Sequence, residues 1–194
     1  MANSNAPMGL TPIQEGNGSP WSGTLRPYYV PATDANPLFI GDPVIIAGSA
    51  DADGVPTVTL ATAGATNRIT GIVQGFRPSP TIVANGYRLA STAEYVYIAM
   101  GPDLIYEVQE DSVGGALAAT DIGLNCDLVA GSGSTATKLS GWQLDTSTKG
   151  TGATLQCRIL GLIVRSDNAF GANAKVRVRI NLPTETGAAG STGV

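Results

Sequence analysis

The sequence predicts an all-β protein. Glycine (25 residues) and proline (12 residues) make up about 19% of the 194-residue chain, against roughly 12% in an average protein, which favours many turns over long helices. Between residues 38 and 183, short apolar runs alternate with Gly or Asp-Gly steps. About eight to eleven short strands separated by turns is the pattern of a β-sandwich or β-barrel.

The last apolar run shows the period of a strand most clearly. Apolar and polar side chains alternate there, as Val176, Val178, Ile180 and Leu182 on one side and Lys175, Arg177, Arg179 and Asn181 on the other. This alternation predicts one dry face and one cationic face. The cationic stripe is interpreted either as a solvated face or as a contact with an acidic neighbour.

The chain divides into three parts. Residues 1–37 contain six prolines and no sustained period, which predicts an extended Pro-rich N-terminal arm. The arm carries Trp21, Tyr28 and Tyr29, so we expect it to lie against its own domain or a neighbour. Residues 38–183 form the β domain, and residues 184–194 are expected to be a flexible C-terminal tail.

Composition argues against several classes of partner. The net charge is −4, and the 11 basic residues form no run, so no direct nucleic-acid partner is expected. No apolar stretch approaches the ~20 residues of a membrane span, and residues 1–16 lack the pattern of a secretory signal. We therefore expect no membrane partner and synthesis in the cytoplasm. Cys126 and Cys157 are interpreted as two small buried apolar residues.

Four carboxylates lie close together in the sequence, at Asp103, Glu107, Glu110 and Asp111. The chain contains no histidine, which removes the commonest general base and the His-dependent triads. Alternation places Glu107 on the face opposite Leu104, Tyr106 and Val108, and the last two carboxylates at the end of a strand. Side chains at a strand end usually diverge into water, so we interpret the cluster as facing water or a basic neighbour, and predict that the protein is not an enzyme.

No cofactor or metal site is predicted. The segment Asp51–Gly54, "DADG", resembles the start of a calcium loop, but Val55 and Pro56 follow where further oxygen ligands are needed. An Asp-Gly hairpin turn is the simpler interpretation. The segments "GSGST" and "STKGT" match neither the dinucleotide fingerprint nor the phosphate-binding loop.

Two segments are the most specific parts of a wider resemblance: "PYYVPATDANPLFIGDPV", which starts at Pro27, and "YEVQED", which starts at Tyr106. From about Asn5 to Asn181 the chain resembles small head proteins of tailed bacteriophages, which are classed with capsid decoration or cement proteins. The resemblance lies in the pattern of residue types within the segments and in the order of the segments along the chain.

That resemblance implies a single β-barrel or jelly-roll-like domain on the outside of an icosahedral shell. The protein would bind at junctions between major capsid proteins, as a dimer or trimer, and stabilise the shell without catalysis or a cofactor. The residues that the resemblance puts forward as capsid contacts are Trp21, Pro27, Tyr28, Tyr29 and Pro31. The alternatives are a carbohydrate-binding or adhesion module of a head fibre or tail, and a carboxylate hydrolase built on Glu107 and Glu110.

Overall fold

The computed structural model describes residues 3–185 and 190–193, and this part of the chain is all-β. It contains one short helix, α1 (Pro80–Asn85), and one 3-10 turn (Ala119–Asp121). The strands are β1 (Thr11–Gln14), β2 (Arg26–Val30), β3 (Pro43–Ala50), β4 (Pro56–Leu60), β5 (Gly71–Phe76), β6 (Glu94–Ala99), β7 (Ile105–Gln109), β8 (Asn125–Val129), β9 (Gln143–Gly150), β10 (Cys157–Leu162) and β11 (Lys175–Ile180). The all-β prediction is confirmed.

Six strands form the first sheet, in the order β1-β7-β11-β10-β8-β9. Strands β7 and β11 are antiparallel, with Arg177 opposite Glu107 and Val178 opposite Tyr106. Tyr106, Val176 and Val178 are fully buried, so the dry face predicted for the last strand is confirmed. This face forms the larger of the two hydrophobic clusters.

The other five strands form a second sheet whose order, β2-β4-β3-β5-β6, closes on itself through the β2–β6 pair. Its interior is filled mainly by β-branched residues: Val30, Val44, Val58, Val73, Val96 and Ile98. The chain therefore has two sheets, each with its own hydrophobic cluster. The finer prediction of one barrel or jelly roll over residues 38–183 is not confirmed.

Two strands come from the predicted N-terminal arm. Strand β1 pairs with β7 in the first sheet, and β2 pairs with β6 in the second. Tyr28 and Val30 alternate inward along β2 and are buried, since a strand with two apolar inward residues gains by joining a sheet. The N-terminal segment is expected to lie against its own domain or against a neighbour. Residues 11–14 and 26–30 lie in the sheets of its own domain.

The helix α1 was not predicted, although its signals are present in the sequence. The Ser79 hydroxyl accepts a hydrogen bond from the Ile82 N–H, and Pro80 occupies the first turn. The helix ends at Gly86, whose φ of 74° is the left-handed conformation that glycine tolerates best. No described helix is long and apolar enough to cross a membrane.

Part of the predicted flexible tail is bound to the chain's own sheets. Thr184 N–H donates to the Ile69 carbonyl at 3.1 Å, and Gly193 N–H donates to the Thr151 carbonyl at 3.1 Å. Asn125 Nδ2 donates to the Ser191 carbonyl at 2.7 Å. The predicted flexible tail therefore contacts the chain's own sheets at these residues, and residues 186–189 and 194 lie outside the described part.

Candidate functional site

An aromatic patch covers the outer side of the β2–β6 pair. Pro27 lies opposite Tyr97 and Tyr29 lies opposite Tyr95 in the antiparallel register. The alternate residues Tyr28, Val30, Val96 and Ile98 are buried. Pro27 and the three tyrosines therefore share the outer face, where Pro27 is exposed and the tyrosines are partly exposed. We call Pro27, Tyr29, Tyr95 and Tyr97 the tyrosine surface.

The tyrosine surface is held in place by contacts within the sheet. The rings of Tyr29 and Tyr95 have centroids 5.2 Å apart and are tilted by 52°, which is a favourable aromatic arrangement. The Arg77 guanidinium lies 5.1 Å from the centroid of the Tyr95 ring, within the range of a cation–π contact. The aromatic rings are therefore arranged before any partner binds.

The hydroxyl of Tyr95 connects this surface to the β3–β4 hairpin. It donates to Asp51 Oδ2 at 2.5 Å, while Asp51 Oδ1 accepts from the N–H groups of Asp53 and Val55. The hydrogen bond raises the pKa of Tyr95 and lowers that of Asp51. The predicted hairpin turn at Asp51–Gly54 is confirmed, because the Asp51 carboxylate organises the turn.

Of the five residues put forward as capsid contacts, Pro27 and Tyr29 lie together on the tyrosine surface. Tyr28 points the other way: it is buried, and its hydroxyl donates to Met100 Sδ at 3.2 Å. Burial raises the pKa of Tyr28. Its side chain is therefore a core group and is not available to a partner in this conformation.

Trp21 and Pro31 are also separate from the tyrosine surface. Trp21 packs against the cluster of the first sheet, and its backbone N–H donates to the Ile13 carbonyl at 3.2 Å. The Pro31 carbonyl accepts from Arg88 Nη2 at 3.0 Å. Both residues thus serve internal contacts.

Tyr95 and Tyr97 were missed as site residues. The signal was present, since "EYVYIAM" alternates polar or aromatic residues with apolar ones in the same way as β2. The sequence does not predict that β6 pairs with β2, because more than 60 residues of chain separate the two strands. The sequence therefore predicted two of the four residues of the tyrosine surface, Pro27 and Tyr29.

The predicted acidic cluster is mostly buried rather than solvated. Glu107 is 7% exposed, and both its oxygens face Arg165: Oε1 lies 2.8 Å from Nη2, and Oε2 accepts from Nη1 at 3.2 Å. Only Asp103 is well exposed, with its carboxylate 3.7 Å from Arg179. The solvated interpretation is therefore wrong for Glu107.

It is also wrong for Glu110, which is fully buried. Its carboxylate accepts from the backbone and hydroxyl of Ser112 and from the Thr146 hydroxyl. Asp111 accepts from Thr146 as well. Glu107 and Glu110 therefore belong to separate hydrogen-bond networks rather than converging on one cleft, as a pair of catalytic carboxylates must.

A cavity of about 610 Å³ opens between the two sheets. Phe39 and Tyr87 stack on one side with centroids 4.5 Å apart, and Trp142 and Asp42 line it as well. Asp42 is buried and accepts from the Phe39 N–H at 2.7 Å. Burial raises the pKa of Asp42 to about 6.

The two cysteines are free and buried, and they face each other across β8 and β10. Burial raises the pKa of Cys126 to about 12 and raises that of Cys157 as well. Their interpretation as small buried apolar groups is confirmed. Over residues 3–185 and 190–193, no three Cys, Asp or Glu side chains are grouped so as to hold a metal ion.

Comparison with known proteins identified no relative. No known protein family matches the sequence, and neither a curated protein nor a solved structure is significantly similar to the chain.

Proposed function

We propose that this chain is a structural protein of a bacteriophage head, which binds the outside of the capsid at junctions between major capsid proteins and cements the shell. The tyrosine surface is the observation that carries this proposal. Tyrosine is enriched at protein interfaces because its ring supplies a large contact area at a low entropic cost. The resemblance of the sequence to phage head proteins supplies the identity of the partner.

The closed strand order under the surface supports this role. We infer that β2, β4, β3, β5 and β6 act as a small barrel that presents the tyrosine surface as a rigid unit. A rigid surface loses little conformational entropy on docking. In an icosahedral shell, symmetry repeats each contact many times, so contacts of modest affinity together stabilise the particle.

In this proposal the protein is made in the cytoplasm of the host and is located on the exterior of the virion capsid. It assembles there as a dimer or trimer, contacts the major capsid protein, and has no enzymatic activity. The test is to release the protein from heads with a chaotrope and to heat complete and depleted shells side by side. We expect depleted shells to open at a lower temperature, and equal thermal stability would contradict the cement role.

A carbohydrate-binding or adhesion module is the second candidate function. It is favoured by the partly exposed rings of the tyrosine surface, because sugars also stack on aromatic faces. A glycan array separates the two candidates. Specific glycan binding that is lost in Tyr29→Ala, without any binding to capsid shells, would favour the adhesion module.

A further inference from the structure

The cavity that opens between the two sheets has a buried base and an exposed rim. Asp42 is 3% exposed and Trp142 is 2% exposed, whereas Ala90 and Ser132 line the same cavity and are exposed. Its volume of about 610 Å³ falls in the range of ligand-binding sites. No residue of the tyrosine surface lines it. We call it the Asp42 cavity.

Asp42 gives this cavity a single negative charge. No other residue that the structure describes along its wall is charged. The Asp42 carboxylate accepts from the Phe39 N–H at 2.7 Å. Burial raises its pKa, and the Ser140 hydroxyl lowers it only in part. No cation of the described residues forms an ion pair with it. A buried carboxylate without a counter-ion is unfavourable, so a cation from outside the chain would be stabilised there.

Aromatic rings form much of the cavity wall. Phe39 and Tyr87 stack with centroids 4.5 Å apart, and Trp142 adds a third ring. Lys138 Nζ lies 5.3 Å from the centroid of the Tyr87 ring, but Lys138 is not part of the wall. A guanidinium suits such a wall, because it is planar and weakly hydrated, stacks on aromatic rings and donates two parallel N–H groups to a carboxylate. The cavity therefore favours an arginine side chain over a compact, strongly hydrated ammonium.

One side of the cavity is formed by backbone. Gly131, Ser132 and Gly133 follow β8 and line the cavity, and they contain no turn or bend. Their N–H and C=O groups bond no residue that the structure describes. A Cβ atom at Gly133 would lie 2.1 Å from Phe39 Cδ2, so this backbone runs directly against the aromatic wall. Like the edge of a sheet, it can pair with a second extended chain.

We propose that the Asp42 cavity binds an arginine side chain presented by an extended peptide segment of a partner protein. The guanidinium donates to the Asp42 carboxylate, and the aromatic wall covers the methylene stem. The peptide backbone pairs with the segment around Ser132. A free guanidinium compound would neutralise Asp42 but would leave that backbone unpaired. This inference does not depend on the capsid proposal, because the cavity and the tyrosine surface share no residue.

The test is an NMR titration of the full-length protein, followed through its backbone amide signals. The ligand is a short peptide, blocked at both ends, with one arginine between valines. An analogue with citrulline in place of arginine keeps the shape of the side chain and removes its charge. Free acetylarginine amide is titrated in parallel, to distinguish a peptide ligand from a small guanidinium compound.

Three variants locate the binding site. Asp42→Asn removes the charge of the cavity, and Ala90→Trp narrows its exposed rim. Asp103→Asn is the matched control for the loss of one negative charge, since Asp103 is a well exposed carboxylate beside Arg179, outside the cavity.

We expect the arginine peptide to shift the amide signals of Gly131, Ser132 and Gly133. Its affinity should fall at least about tenfold in Asp42→Asn, the range of one charge-assisted hydrogen bond, and should also fall in Ala90→Trp. Asp103→Asn should bind as the wild type does. If Asp42→Asn fails to fold, the citrulline analogue tests the same contact in the wild type. Equal binding of that analogue, equal binding by Asp42→Asn, or acetylarginine amide binding as tightly as the peptide would each overturn the proposal.

Discussion

The rings of Tyr29 and Tyr95 lie side by side across the β2–β6 pair, with centroids 5.2 Å apart. Their positions follow from the antiparallel register, which also places Pro27 beside Tyr97. Because the backbone pairing fixes the spacing, the tyrosine surface is formed in the free protein. Binding through it requires little rearrangement, which suits a contact repeated over a shell.

Removal of the Tyr95 hydroxyl should loosen the β3–β4 hairpin without unfolding the protein. In Tyr95→Phe, Asp51 loses the hydrogen bond that ties the turn to β6. We expect faster amide hydrogen exchange at Asp53 and Val55 and a nearly unchanged melting temperature. Tyr97→Phe is the control, because the Tyr97 hydroxyl bonds no described residue. Identical exchange in the two variants would show that the hydroxyl does not restrain the hairpin.

The two partners of the Arg165–Glu107 pair should differ in their effect on stability. The side chain of Arg165 is 41% exposed and that of Glu107 is 9% exposed. Arg165→Met leaves a buried carboxylate without its cation, at an expected cost of about 1–3 kcal/mol. Glu107→Gln leaves an arginine that water can solvate, at a cost below about 1 kcal/mol. Urea unfolding measures both, and equal costs would contradict the asymmetry.

Arg88 should be one of the most sensitive positions of the fold. It is fully buried and donates to the carbonyls of Pro31, Asp34, Asn36 and Thr92. Lysine cannot reproduce the planar set of donors, so Arg88→Lys should destabilise the protein by about 3 kcal/mol. The exposed Arg77 is the control, and Arg77→Lys should change the free energy of unfolding by less than about 0.5 kcal/mol. Similar values for the two variants would be inconsistent with this account.

Asp42 should give the protein a measurable dependence of stability on pH. Burial raises its pKa from 3.8 to about 6 in the folded protein, so the folded state holds this proton more tightly than the unfolded state. The contribution is fully present below pH ~4, falls as the pH rises to about 6, and totals about 3 kcal/mol.

The Asp42→Asn variant isolates this contribution, because asparagine does not titrate. Urea unfolding of both proteins from about pH 4 to pH 7 gives the difference at each pH. We expect the free energy of unfolding of the wild type to fall relative to the variant as the pH rises. A difference that stays constant over this range would exclude Asp42 as the titrating group.

The strands were predictable where one face of a strand meets the core. The alternation along β7 and β11 gave the inward residues Tyr106, Val108, Val176 and Val178, all of which are fully buried. The division into two sheets was not predictable. It depends on pairings such as β1 with β7 and β2 with β6, which join segments far apart in the sequence, and strand period carries no information on the identity of the partner.

The same reason explains the error at the acidic cluster. Alternation assigns Glu107 to the outer face of β7, but it does not say whether another segment covers that face. Arg165 comes from the loop after β10, and Asn5 and Ala6 bond Gln109 on the same strand. A strand face that is covered by distant loops has the same sequence pattern as a strand face that is exposed to water.

The proposed function requires the tyrosine surface to bind the capsid. The most direct measurement is co-sedimentation of the protein with shells assembled from the major capsid protein encoded in the same genome. We expect the wild type and the control Val164→Ala, which changes a side chain exposed elsewhere, to sediment with the shells. The double variant Tyr29→Ala/Tyr97→Ala should stay in the supernatant while remaining folded. Sedimentation of the double variant equal to that of the wild type, or no sedimentation of the wild type, would contradict the claim.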